Sequence, residues 1–396
     1  MKKLSLTYAF ILGRLPQLSQ AEILEVLKTK KIEFDELLFC PEALVVKLKT
    51  EVDLEWLQNR LGGTIKIAAI HFKTSLNDLP EMITDYVGDQ AKLSSEPVRK
   101  FKFGFSLYNI KTLPELKKIG LAVKRKLKDQ DVNSRFVVAH EKNLSSVIVK
   151  KENLLSQGLD LILIRKDNHY YLGKTETVQD WQEFSDRDYG RPLRDDLSGM
   201  LPPKLARMML NLSGAGEDQV ILDPFCGSGT VVQEALLMGF NKVYGSDLSQ
   251  KAVDFSLNNL NWLKVKYGLK IDQAKIIKAD VRKLSSVWPA GSIDAIVTEP
   301  YLGPQRPGVK VSPREIVQEL SDLYLGAFKE FAKVLNDRAR LIMIWPVYQA
   351  QALEILPEVE RLGFKMIKLA GSDRGSLIYS RPQQRVLREI FVFVKA

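Results

Sequence analysis

Residues 219–230 read Gln-Val-Ile-Leu-Asp-Pro-Phe-Cys-Gly-Ser-Gly-Thr. The apolar run predicts a strand that ends on Asp223-Pro224-Phe225, and the small residues Cys226 to Thr230 predict a tight turn after it. Gly227 and Gly229 let the backbone reverse sharply and approach a ligand closely, and Val231 to Met238 continues as a helix. Strand, glycine turn and helix in that order make a nucleotide-type cofactor site. No Lys-Ser or Lys-Thr follows the glycines, so the phosphate grip of a P-loop is absent. Val232 stands where a dinucleotide fingerprint needs its third glycine.

The acidic residue at the strand tip narrows the ligand. A carboxylate at Asp223 repels a pyrophosphate and attracts a cation, which suits the sulfonium and α-ammonium groups of S-adenosylmethionine. Lys242 to Asp247 predicts a second strand, with Asp247 placed to accept both hydroxyls of a ribose. Ala274 to Asp280 predicts a third, whose Asp280 is placed to accept from an adenine amino group. Lys251 to Leu263 has a helical apolar pattern between them, so the order strand, helix, strand, helix, strand implies a parallel sheet with ligand at its carboxyl ends. The cofactor set is thus Asp223, Pro224, Cys226, Gly227, Gly229, Asp247 and Asp280. Taken singly, Asp247 and Asp280 read equally well as ordinary caps and turn residues. Cys226 reads as a small packing residue, since no His neighbours it in sequence.

A fourth strand, Ile293 to Val297, runs into Thr298-Glu299-Pro300-Tyr301-Leu302-Gly303-Pro304. Together with Asp223 to Thr230, this strand and its acidic-Pro-Tyr loop resemble the class I amino-methyltransferases. Their usual loop is Asp, Asn or Ser followed by Pro-Pro-Tyr or Pro-Pro-Phe. The resemblance implies acceptors that hold the two hydrogens of an exocyclic amine and an aromatic ring that stacks on its base. Only one proline, Pro300, is present here, so two registers remain. Either Thr298 takes the acidic slot and Tyr301 the aromatic one, or Glu299 takes the acidic slot and Leu302 replaces the ring. The favoured reading has Glu299 as acceptor and Tyr301 as stacking ring, with Thr298 and backbone carbonyls assisting.

Downstream, Glu315 to Val334 reads as a helix with apolar Val317, Leu320, Leu323, Leu325, Phe328 and Phe331, and Arg340 to Pro346 as a fifth strand. Leu353 to Leu362 reads as a helix kinked or restarted at Pro357. Phe364 to Leu369 and Arg388 to Val394 read as a closing pair of strands. The polar connection Arg374 to Arg385 reads as a solvated loop. Upstream, Gly199 to Leu212 predicts a Pro-initiated helix containing Pro203-Lys204-Leu205-Ala206-Arg207. Methyltransferases that act on tRNA guanosine carry a similar Pro-x-x-Ala-Arg helix. Tyr170 to Lys174, Gln179-Asp180 and Arg187 to Pro192 resemble the join between a THUMP domain and the catalytic domain of those enzymes.

The front of the chain predicts a separate half. Strands at Leu4–Leu12, Ile32–Phe39, Ala43–Leu48 and Thr64–Phe72 alternate with two helices. One starts at a capping box, Ser19 to Glu22, and the other runs from Asp53 to Leu61, which together make a ferredoxin-like unit. Residues 74–97 read as a linker, and a second α/β module follows from Arg99 to Gly173. Residues 97–151 hold 14 basic against 4 acidic residues, an excess of 10 that equals the formal charge of the whole chain. In the helix Pro114 to Lys128, Leu116, Ile119, Val123 and Leu127 share one face, leaving Lys117, Lys118, Lys124, Arg125 and Lys128 to solvent. Clustered cations of this kind favour an RNA footprint over a merely solvated face.

The expected architecture is α/β: a ferredoxin-like domain at 1–75, a THUMP-like RNA-binding domain at 76–173 and a linker at 174–198. A Rossmann-like class I S-adenosylmethionine-dependent methyltransferase domain follows at 199–396. Two cysteines, Cys40 and Cys226, give no disulfide framework and fit a reducing cytosol, so the expected location is cytoplasmic. The run after Met1-Lys2-Lys3 lacks the continuity and cleavage site of a secretory signal, and no span suits a membrane. His71, His140 and His169 lack metal-ligand spacing, so no metal is expected. By resemblance to the THUMP-containing tRNA guanosine N2-methyltransferases of the position-ten type, the implied partner is tRNA, methylated at a guanosine N2, with a helper subunit left open. The alternatives are a DNA adenine or cytosine amino-methyltransferase and a catalytically silent tRNA-binding protein.

Overall fold

The computed structural model describes residues 2–93, 100–111, 113, 116–138, 141–194, 200–304, 312–348, 353–369, 372, 375–380 and 386–396. It forms two compact units, Met1–Gln20 with Lys30–Gln182 and Ala21–Thr29 with Glu183–Ala396.

The first unit is built on a nine-stranded sheet. Its opening elements are β1 (Lys2–Lys3), β2 (Thr7–Leu12), the start of α1 (Pro16–Thr29, whose residues from Ala21 fall in the second unit), β3 (Phe34–Cys40), β4 (Ala43–Leu48), α2 (Leu54–Arg60) and β5 (Thr64–Ser75). Setting aside the short β1, this is the strand and helix order of a ferredoxin-like unit, and β3-β4-β2-β5 lie side by side with every neighbour antiparallel. The expected capping box at Ser19 is not a helix start. The helix begins at Pro16, and the buried Ser19 hydroxyl donates to the carbonyls of Leu15 and Gly63. A proline with its fixed φ starts the turn three residues earlier.

The remaining elements of this unit are α3 (Leu79–Leu93), β6 (Phe101–Tyr108), α4 (Leu116–Asp129), β7 (Ser134–Val137), α5 (Ser146–Lys151), β8 (Gly158–Lys166) and β9 (His169–Val178). They extend the same sheet in the order β5-β9-β8-β6-β7. Three expectations are corrected here. Residues 74–97 are not a linker up to residue 93. Leu79, Met82, Ile83, Tyr86, Val87 and Ala91 recur at helical spacing and bury α3 in a core with Phe103, Leu161 and Leu163. A boundary at 75/76 likewise cuts a continuous sheet, because β5 pairs with β9 from Lys66 to Ser75. The expected linker 174–198 is also structured over much of its length, holding the end of β9 and α6 (Trp181–Tyr189).

In the second unit come α7 (Pro203–Leu212), β10 (Val220–Asp223), α8 (Thr230–Leu237), β11 (Lys242–Asp247), α9 (Gln250–Tyr267) and β12 (Lys275–Lys278). After a 3-10 helix, Val281–Ser286, follow β13 (Ile293–Thr298), α10 (Pro313–Val334), β14 (Leu335–Tyr348), α11 (Leu356–Arg361), β15 (Phe364–Met366), β16 (Leu377–Tyr379) and β17 (Val386–Lys395). The sheet order is β12-β11-β10-β13-β14-β17-β15, with β16 also on β17. Strands β12 to β14 are parallel, and β17 closes antiparallel on β14. This is a Rossmann-like α/β domain whose strand order reverses at β10, between β11 and β13. A crevice opens at the carboxyl ends of the strands at such a switch. The expected polar loop 374–385 contains β16, whose Leu377 is buried against β17. The rest of that loop, and Gly199, Pro114 and His140, lie largely or wholly outside the described residues. Among the described residues no helix is long and apolar enough to cross a membrane.

Candidate active site

The glycine turn is held by satisfied backbone rather than by bulk. The Cys226 amide donates to the Ser246 carbonyl at 2.9 Å and that of Gly229 to Cys226 at 2.7 Å, which joins β10 to the end of β11. Asn259 and Gln233 amide groups donate to the Ser228 carbonyl at 2.9 and 3.2 Å. Gly229 caps α8 at φ +87°, and a Cβ there would lie 2.4 Å from the Ser256 hydroxyl. Gly227 also has positive φ, but a Cβ on it would meet nothing within 4 Å. The turn is therefore packed on the Gly229 side and open on the Gly227 side, where a ligand fits against bare backbone.

That open side faces a cavity of about 580 Å³. Asp223, Asp247 and Asp280, ending or following three adjacent strands, all line it, as do Pro224, Cys226 and Gly227. Gly229 lies behind the wall. Asp247 accepts from the Gly227 amide at 3.1 Å and the Ser249 amide at 2.9 Å, which leaves carboxylate lone pairs for a ligand. Asp280 is gripped by Arg282 at 3.1 and 2.8 Å, and this hydrogen bonding holds its carboxyl below the usual range. Burial pushes Asp223 up to about 7, against the pull of hydrogen bonds from Thr298 and the Phe225 amide, with Asp247 and Glu299 adding repulsion. Burial, with Asp223 and Asp247 nearby, also pushes the Cys226 thiol well up, so it is a packing residue and not a thiolate.

The loop after β13 forms another wall of the same cavity, through Glu299, Pro300, Tyr301, Leu302, Gly303 and Pro304. Thr298 corrects an expectation. It is fully buried, does not line the cavity, and its hydroxyl donates to Asp223 at 2.7 Å. As the last residue of its strand it points to the neighbouring strand, while Glu299, one residue on, reaches the cavity. Tyr301 is 51% exposed, and its backbone carbonyl accepts from the buried Tyr324 hydroxyl of α10 at 3.0 Å. The loop is pinned and the ring is left uncovered.

Three contributors escaped the sequence reading. Arg388 on β17 donates through Nε to Glu299 at 2.5 Å and through its terminal nitrogen at 3.4 Å. Its signal was an arginine inside an apolar strand, which needs a partner when buried. Phe255 on α9 and Met200, ahead of α7, also line the cavity. Arg207, the arginine of the Pro-x-x-Ala-Arg helix, does not touch the cavity. With Arg187 it clamps the buried Glu234 of α8 at 2.8 and 2.6 Å, which fixes the helix that follows the glycine turn. In the first unit, Lys117, Lys118, Lys124, Arg125 and Lys128 are all exposed on α4, whose Ile119, Val123 and Leu127 are buried.

This fold and cavity define a Rossmann-like methyltransferase domain, and residues 191–355 match the family described as RMKL-like, methyltransferase domain. A "probable tRNA (guanine(10)-N2)-dimethyltransferase" of Methanothermococcus thermolithotrophicus is 34% identical over 123 residues, 30% of this chain and 72% of that one. A tRNA (guanine(10)-N2)-dimethyltransferase of Pyrococcus abyssi is 30% identical over 243 residues, 58% of this chain and 64% of that one. The chain thus spans less than two thirds of the Pyrococcus relative. The crystal structure of TrmN from Thermus thermophilus shares the fold over 98% of this chain and 100% of that one, at a TM-score of 0.56 and 17% identity. The chain belongs to the tRNA guanine N2-methyltransferase family.

Proposed function

We propose that this protein methylates the exocyclic N2 amine of a guanosine in tRNA, using S-adenosylmethionine. The observation that carries the reading is the shared cavity: three strand-end carboxylates around an open glycine turn, facing a Glu-Pro-Tyr loop on the same hollow. The residues fit the donor, because bare backbone at Gly227 leaves room and the acidic wall attracts a sulfonium. Bound there, the donor supplies an electrophilic methyl group.

The chain's own residues do the rest. Asp247 binds ribose hydroxyls, and Asp223 and Asp280 set the charge of the wall. Glu299 accepts the amine hydrogens, which aims the nitrogen lone pair, and Tyr301 stacks on the base. The guanine reaches the loop by leaving its stack. The basic face of α4 binds tRNA phosphates, in a THUMP-like role for the N-terminal region. The work takes place in the cytoplasm, where tRNA is handled, and needs neither metal nor covalent intermediate. The test is label transfer from S-adenosylmethionine to tRNA against duplex DNA, with mass spectrometry of the product nucleoside and calorimetry of donor binding. Transfer to DNA alone, or donor binding without transfer to tRNA, overturns the reading. Glu299→Ala abolishes transfer and Tyr301→Ala lowers it sharply, both leaving donor affinity nearly intact.

A further inference from the structure

Glu299 faces the cavity with one side and a buried arginine with the other. Its side chain is 11% exposed and that of Arg388 9%. Arg388 does not line the cavity, and its guanidinium meets the carboxylate through two nitrogens. Such a fork fixes the plane of a carboxylate and stabilises its charge. A carboxylate can only accept hydrogen bonds, whereas the protonated acid both donates and accepts. The distinction matters for a nucleobase. Guanine presents two adjacent donors, N1–H and the N2 amine, but adenine and cytosine present an acceptor beside their amine.

We propose that Arg388 is a positioning residue that holds Glu299 as an acceptor-only carboxylate, and that this selects guanine over adenine and cytosine. The inference rests on the reading above that Glu299 meets the substrate base. With the carboxylate ionised, adenine or cytosine would set an acceptor against an acceptor, which costs far more than a lost contact. Without Arg388 the acid takes up a proton and its edge becomes donor plus acceptor, which fits adenine. The charged and titratable neighbours leave this task to the arginine. Asp223 at the end of β10 repels Glu299, Tyr379 on β16 faces Arg388, and Tyr301 in the loop faces Glu319 of α10. Among these groups Arg388 is the cation. Burial raises Glu299 above the usual carboxylate range and Arg388 opposes that rise.

The test compares the full-length wild type, Arg388→Gln and Arg388→Lys in single-turnover transfer to tRNA. The substrates carry guanosine or adenosine at the modified position, and the rates are followed across roughly pH 5.5 to 9. Arg388→Gln is expected to lose roughly tenfold or more of the guanosine rate at the acid end. Its acid limb should move to higher pH, with the rate recovering as pH rises, and its preference for guanosine over adenosine should narrow. Arg388→Lys should shift the limb in the same direction by less, and it serves alone if the glutamine variant does not fold. A merely structural role would lower the rate equally at every pH. An unmoved limb with unchanged preference, in a wild type that methylates guanosine, overturns this inference alone. A wild type that methylates no tRNA guanosine overturns the proposed function and this inference with it.

Discussion

In each unit a buried acid meets a buried base, Asp160 with Lys66 and Glu299 with Arg388, and the two pairs are finished differently. In the first unit Lys66 and Asp160 are 1% and 0% exposed, and the ammonium donates to the carboxylate at 2.6 Å. Ser106 and Thr175 hydroxyls also donate to Asp160, each at 2.7 Å, so both its oxygens are occupied. In the second unit the described partner of Glu299 is Arg388, and the remaining edge of the carboxylate opens on the cavity. The lesson is that a buried charge enclosed by several protein donors ties strands together, whereas one with an edge on a hollow is equipped to meet a ligand.

The largest effect should come from breaking the enclosed pair. Lys66→Met strands Asp160 without its counter-ion, and a loss of about 3–5 kcal/mol in unfolding free energy is expected by denaturant titration. Donor binding by the molecules that remain folded should be unchanged. Loss of the cavity response with retained stability would invert the comparison. Glu299→Gln should act first on the site. Methyl transfer falls on the order of a hundredfold or more as an acceptor becomes partly a donor, and the unfolding midpoint falls by less than in Lys66→Met, because the amide oxygen still accepts from buried Arg388. Tyr301→Ala should cost less, about 1–3 kcal/mol of base stacking read as KM and rate, with Tyr301→Phe retaining most of it.

The smallest effect is a pH dependence. Asp223, pushed up to about 7, loses its charge as pH falls through that value, so calorimetric affinity for the cationic donor should weaken there. Asp223→Asn should flatten the profile. The sign for folding is opposite. Because the folded value is raised, the stability contributed by the protonated carboxyl is fully present below its ordinary value of 3.8 and is lost as pH rises through about 7.

Where local pattern and tertiary demand agreed, the elements were legible. The strand at Val220–Asp223, the glycine turn and the helix at Thr230–Leu237 follow from an apolar run, two glycines and a second apolar run. The α3 helix was missed because its flanking residues are polar, although its apolar spacing was there to read. Thr298 turns away from the cavity lining because strand alternation, not residue chemistry, decides which side chain reaches it. The clamp of Arg187 and Arg207 on Glu234 joins residues 47 and 27 positions apart, and no local pattern records such a meeting.

By itself the sequence determined the parallel α/β order, the acidic strand ends and the loop that follows the fourth parallel strand. All of these depend on periodicity and on residues close in the chain. Only the tertiary structure decided that Arg388 stands behind Glu299, 89 positions away, and that Thr298 turns inward to Asp223. Those contacts follow from which strands become neighbours, and sheet order is set by burial of the whole core rather than by any single segment.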